Sequence, residues 1–175
     1  MINSLNKKIK KMHGNILCIG VKEENIFKTI MQNKNIIDCD RIDNIKNKTK
    51  KEQKEITALS LKTVNIYKLK KIYKKTELNY IICNTNDTLE YSEYIFKDSV
   101  QLVKNKCIFY GNIYNLEDIK DKLKRYDCEI EISEDKDLFM ITLSNIKVTT
   151  FKASYYFIID KIEKRAEKIS KIFNS

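Results

Sequence analysis

Apolar residues along this chain gather in two ways. Some form short unbroken runs of strand length, and others recur at the spacing of one helical face. The runs at residues 15–19 (NILCI), 35–39, 79–84 (NYIICN) and 106–110 (KCIFY) predict buried strands. Between the first two, Ile26, Phe27, Ile30 and Met31 predict a helix over residues 23–33. Residues 89–103 follow the third run with a polar cluster, Thr85 to Thr88, suited to capping a helix. Asn115, with Glu117 and Asp118 behind it, opens another helix that ends near Tyr126. Residues 129–133 and 138–148 alternate apolar and polar positions about a turn at 135–137, as a hairpin does. Residues 154–173 repeat apolar side chains at Ile158, Ile162, Ala166, Ile169 and Phe173, a long amphipathic helix. Leu5, Ile9 and Met12 form a shorter stripe, lying over a sheet edge or fraying. Residues 64–76 are helical in pattern, whereas 55–64 read equally as a strand or as the start of that helix. The order predicts an α/β domain over residues 1–150: three layers, a mostly parallel sheet and an antiparallel C-terminal hairpin. The helix of 151–175 packs on it or serves self-association.

Composition narrows this picture. With 175 residues, three glycines and no proline, the chain suits one domain with short polar turns, not a turn-dense all-β fold. The N-terminus lacks an apolar signal core and no run approaches membrane-spanning length, which predicts a cytoplasmic protein without a membrane partner. Cys18, Cys39, Cys83, Cys107 and Cys128 each sit in or beside a predicted strand, without the close spacing of a metal site. They read as small buried hydrophobes. His13, the one histidine, stands at a turn without a partner acid nearby.

Charge is uneven. The net charge is +10, and residues 46–75, bounded by Lys46 and Lys75, hold eleven lysines against Glu52 and Glu55. Such a face suits RNA or another anionic surface. Only Arg41, Arg125 and Arg165 are arginines, the better base and phosphate readers, so a lysine bias of A/T-rich coding is the competing explanation.

The candidate chemistry lies in residues 15–43. Strand, Gly20, helix, strand and then Asp40 is the opening of a nucleotide-binding unit, with the acid placed to meet a ribose. Over residues 15–148 the element order resembles the class I S-adenosylmethionine-dependent methyltransferases, a Rossmann-like sheet closed by an antiparallel last strand. NYIICN, the helix ending in QLVKNK, CIFYG and NLEDIKDKLKRYDCEIEI carry the resemblance most clearly. It implies S-adenosylmethionine as cofactor, bound at Gly20, Asp40 and Asn84, with Asn84 and Asp87 orienting a methyl acceptor. Departures are plain. Where the family brings glycines, this chain has Val21, Lys22, Glu23 and Glu24. The Asn/Asp-Pro-Pro-aromatic signature of amino-methylating members needs prolines the chain lacks, and Asn79 stands where an acid commonly begins the fourth strand. P-loop and nucleophile-elbow motifs are absent. Three readings follow: methyl transfer, a non-catalytic pseudo-methyltransferase binding RNA or a protein through residues 46–75, or another nucleotide-binding enzyme such as an oxidoreductase, against which the same missing glycines count. Self-association through the C-terminal helix is compatible with each.

Overall fold

The computed structural model describes residues 1–42, 69–74, 77–86, 88, 92–147 and 150–173. Among the described residues six strands form one sheet: β1 (Gly14–Ile19), β2 (Ile36–Ile42), β3 (Leu78–Asn84), β4 (Val103–Asn112), β5 (Glu129–Asp135) and β6 (Leu138–Ser144). Their spatial order is β2-β1-β3-β4-β6-β5. The β1–β2, β1–β3 and β3–β4 pairs are parallel, while β6 runs antiparallel to both β4 and β5. The last strand thus returns between its two neighbours, and the alternating strand of residues 129–133 becomes the sheet edge. The direction of winding changes between β1, which has β2 on one side, and β3 on its other, the place where such sheets form a crevice at the carboxyl ends of their parallel strands.

Period-two alternation sorts the strand residues into two cores. Leu17, Ile19, Ile81, Cys83, Cys107, Phe109, Phe139 and Ile141 face one way. They meet α3 (Leu69–Ile72), α4 (Ser92–Leu102), α5 (Leu116–Leu123) and the start of α6 (Thr150–Phe173). Ile16, Cys18, Tyr80, Ile82, Ile108 and Met140 face the other way, against α1 (Ile2–Ile9) and α2 (Glu24–Gln32). Leu5, Ile9 and Met12 are therefore core residues over a sheet face, and Lys8 reaches Glu131 of β5 at 3.1 Å.

Three boundaries differ from the pattern, each for a tertiary reason. β2 runs two residues past Asp40, because Arg41 and Ile42 pair with Cys18 and Ile19 of β1. Arg41 is buried, with its guanidinium 4.8 Å from the Phe27 ring centre, which an arginine in sequence does not announce. β4 begins at Val103, within the expected helix, since Val103 pairs with Leu78. It also continues through Gly111, which pairs with Phe139. Of the cysteines, Cys18, Cys39, Cys83 and Cys107 are buried and Cys128 is half-buried. Burial raises the Cys83 thiol to about 12 and that of Cys128 to about 11. Asp87, the undecided stretch 55–64 and most of residues 46–75 lie outside the described residues. No described helix is long and apolar enough to cross a membrane.

Candidate functional site

β1 leaves the sheet at Gly20, whose φ of 65° lies in the left-handed region. Its N–H donates to Ile42 O at 2.8 Å, tying the turn to the end of β2. Val21 then dips into the core, and Glu23 takes the N-cap position of α2 without capping it through its side chain. Its carboxylate instead crosses the strand ends. Tyr110 Oη of β4 donates to Glu23 Oε2 at 2.6 Å, and Asn84 Nδ2 of β3 donates to Glu23 Oε1 at 3.2 Å. The Lys22 N–H also donates to Oε2, at 3.0 Å. Burial, then the bond to Glu23, holds the Tyr110 hydroxyl well above its ordinary value, so it stays a neutral donor.

The segment after β3 is held just as closely. Thr85 donates to Tyr110 O from its N–H at 2.8 Å and from Oγ1 at 3.1 Å. Thr88 Oγ1 donates to Asn84 O at 2.7 Å, and Asn84 Oδ1 accepts from Asn86 N at 3.0 Å. Asn86 Oδ1 in turn accepts from Asn112 N at 2.7 Å. This fold-over explains Gly111 of β4: a Cβ there would stand 2.2 Å from Thr85 Oγ1. At the other end of the strands Asn79 Oδ1 accepts from Asn15 N at 2.9 Å, so Asn79 aligns the start of β3 with that of β1.

Asp40 is elsewhere. Strand alternation sends Cys39 toward α2, where its Sγ is 3.9 Å from that of Cys18, and Asp40 to the opposite face. There Tyr73, just beyond α3, donates its hydroxyl to Asp40 Oδ2. Asp40 is 8% exposed, and its buried Oδ1 has no hydrogen-bond partner among the described residues. Burial, then this bond, raises the Tyr73 hydroxyl beyond its ordinary value.

Of the residues singled out in the sequence, the loop from Gly20 and Asn84 meet through Glu23, whereas Asp40 projects from the other face of the sheet. Asp43 directly follows Ile42 in sequence and lies outside the described residues. Glu23, Tyr110 and Tyr73 had no assigned partners. A signal for Tyr110 existed: a tyrosine closing a buried strand needs a partner for its hydroxyl.

No family model and no curated protein matches the sequence. Solved structures do match in fold. A putative rRNA-methylase from Clostridium thermocellum superposes with a TM-score of 0.63 at 11% identity, over 85% of this chain and 97% of its own. A putative S-adenosyl-L-methionine-dependent methyltransferase from Methanococcus maripaludis gives 0.60 at 10% identity, over 84% of both chains. The precorrin-6y C5,15-methyltransferase of Geobacter metallireducens gives 0.56 at 10% identity, over 81% of this chain and 86% of its own. The chain has the fold of a class I methyltransferase. At these identities the likeness is one of fold.

Proposed function

We propose that this chain is a pseudo-methyltransferase, a binding module of methyltransferase fold whose donor site is closed by its own side chains. The Glu23 carboxylate, held between Asn84 and Tyr110 across the crevice, carries this reading. S-adenosylmethionine needs close backbone approach at the loop after β1 and an open carboxylate for its ribose. Here the loop contributes a bridging side chain, and one oxygen of Asp40 is committed to Tyr73 while the other is buried. The residues present do not fit the donor, and no transfer step is derived. Displacing Glu23 gives up two side-chain hydrogen bonds to a carboxylate, about 1.5–3 kcal/mol each, or roughly two to four decades of affinity.

Two features favour RNA as the macromolecule bound: the lysines of residues 46–75, and the fold shared with a structure described as a putative rRNA-methylase. Calorimetric titration with S-adenosylmethionine and S-adenosylhomocysteine tests the closed site. The wild type is expected to give no saturable heat up to millimolar ligand. Glu23→Ala is the informative variant, because binding that appears only there identifies the carboxylate as what closes the crevice. Micromolar binding by the wild type, weakened by Asn84→Ala or Asp40→Ala, would overturn the reading and restore a working donor site.

A further inference from the structure

We infer that a second copy of this chain covers the outer face of α6, making the protein a two-fold homodimer. α6 is apolar on two opposite sides. Ala153 and Tyr156 belong to the packed side, Tyr156 stacking edge-on against Tyr126 with ring centres 5.5 Å apart. Phe157 meets Tyr94 of α4 at 4.9 Å. The other side carries Phe151, Tyr155, Ile158, Ile162, Ala166 and Ile169 at steps of four, three, four, four and three residues. That spacing keeps them in one nearly straight line along a helix of 3.6 residues per turn. All face solvent: Phe151 is 81% exposed, Ile162 61%, and Tyr155, Ile158 and Ile169 between 54% and 56%. From Ile162 onward every described side chain of α6 is exposed, so the described residues of its second half pack on no core. Helical stability in water comes mainly from packing an apolar face, which the described residues of this half lack within one chain.

Area argues for the occupant. The five large side chains present on the order of 500 Å² of apolar surface per copy. Two copies related by a two-fold axis would bury on the order of 1,000 Å², the level at which specific interfaces begin, before the flanking side chains contribute. A contiguous patch of about 500 Å² lies in the upper part of the range for the largest apolar patch on a monomer, and such patches often mark a binding surface. Ridges on one helix pack into the grooves of another, and an isologous pair supplies that matching helix face with no further component.

Sedimentation equilibrium of the full chain reads the result directly. The expected mass is twice the 20.8 kDa of one chain, falling to one chain mass in Ile158→Glu/Ile162→Glu. Both positions are solvent-facing in the single chain, so the variant keeps its far-ultraviolet circular dichroism, and Ile158→Leu/Ile162→Leu keeps the dimer. A wild type that stays monomeric at concentrations of hundreds of micromolar overturns the inference, as does a dimer that survives the glutamates. Neither result bears on the closed donor site, which the ligand titration addresses separately.

Discussion

At the scale of single residues, close approach and burial set the consequences. Gly111→Ala places a methyl group 2.2 Å from Thr85 Oγ1 and 2.8 Å from Asn86 Oδ1, and the expected cost is about 1–3 kcal/mol. Thr85→Ala loses the bond from Oγ1 to Tyr110 O, about 1 kcal/mol. Made together, they should cost less than the sum, because the second change removes the atom the first collides with. Urea denaturation of the four proteins measures that coupling, and additive losses would show that the segment after β3 moves aside freely. Asp98 on α4 gives a prediction in pH. It is buried, and burial raises its carboxyl above the usual range even though Lys97 lies at 3.5 Å. The folded state therefore binds its proton more readily than the unfolded chain does. This contribution is complete below the ordinary carboxylate value and is lost as pH rises through the raised one. Asp98→Asn does not titrate, so it should melt above the wild type at pH 7, with the gap narrowing as pH falls through the raised value toward the ordinary carboxylate range. A gap that widens in acid would reverse the assigned sign.

Among elements, legibility followed local pattern. Strands with unbroken apolar runs were visible in the chain, as was the hairpin, because each is specified by neighbours in sequence. The end of β2 and the start of β4 were not: Arg41 is buried by pairing with β1 and lying beside Phe27, and Val103 is drawn into the sheet by Leu78. The candidate site was half legible. Gly20, Glu23 and Asn84 stood out as loop residues, but the bond from Glu23 to Tyr110 spans 87 positions and has no local signature. The apolar periodicity of α6 was equally clear, yet periodicity cannot say which of two apolar sides meets the domain. The inner side rests on a joint in which Lys97 and Lys161 lie 4.2 Å and 4.8 Å from the Phe157 ring centre. Phe157→Ala removes that joint and the contact with Tyr94. Opening of α6 should become easier by about 1–3 kcal/mol while the sheet is little affected. Native-state hydrogen exchange separates the two, and a uniform loss across the sheet would mean that α6 unfolds only with the whole domain.

At the scale of the whole chain, charge is unevenly spread along the sequence. Sheet order puts β2 and β5 at opposite ends of the described sheet. Exposed Glu129, Glu131, Glu134 and Asp135 line the β5 end, within residues 117–137, which hold nine acids against five bases. In sequence the lysine-rich stretch 46–75 follows β2 and takes in α3, beside which Tyr73 binds Asp40 of β2. A chain with a net charge of +10 whose β5 edge is acidic should meet a polyanion away from that edge. Binding of single-stranded RNA should weaken linearly in log affinity against log salt, with a slope near 0.7 per phosphate met. Replacing Lys46, Lys48, Lys50, Lys51 and Lys54 with glutamine should shallow that slope by up to about 3.5 if all five meet phosphates. Replacing Lys120, Lys122 and Lys124, which pair with Glu117, Asp118 and Asp121 on α5, should leave it unchanged. An equal effect per lysine replaced in the two sets would mean that only net charge attracts RNA. An affinity indifferent to salt would leave the lysines of residues 46–75 as a product of coding bias rather than of a partner.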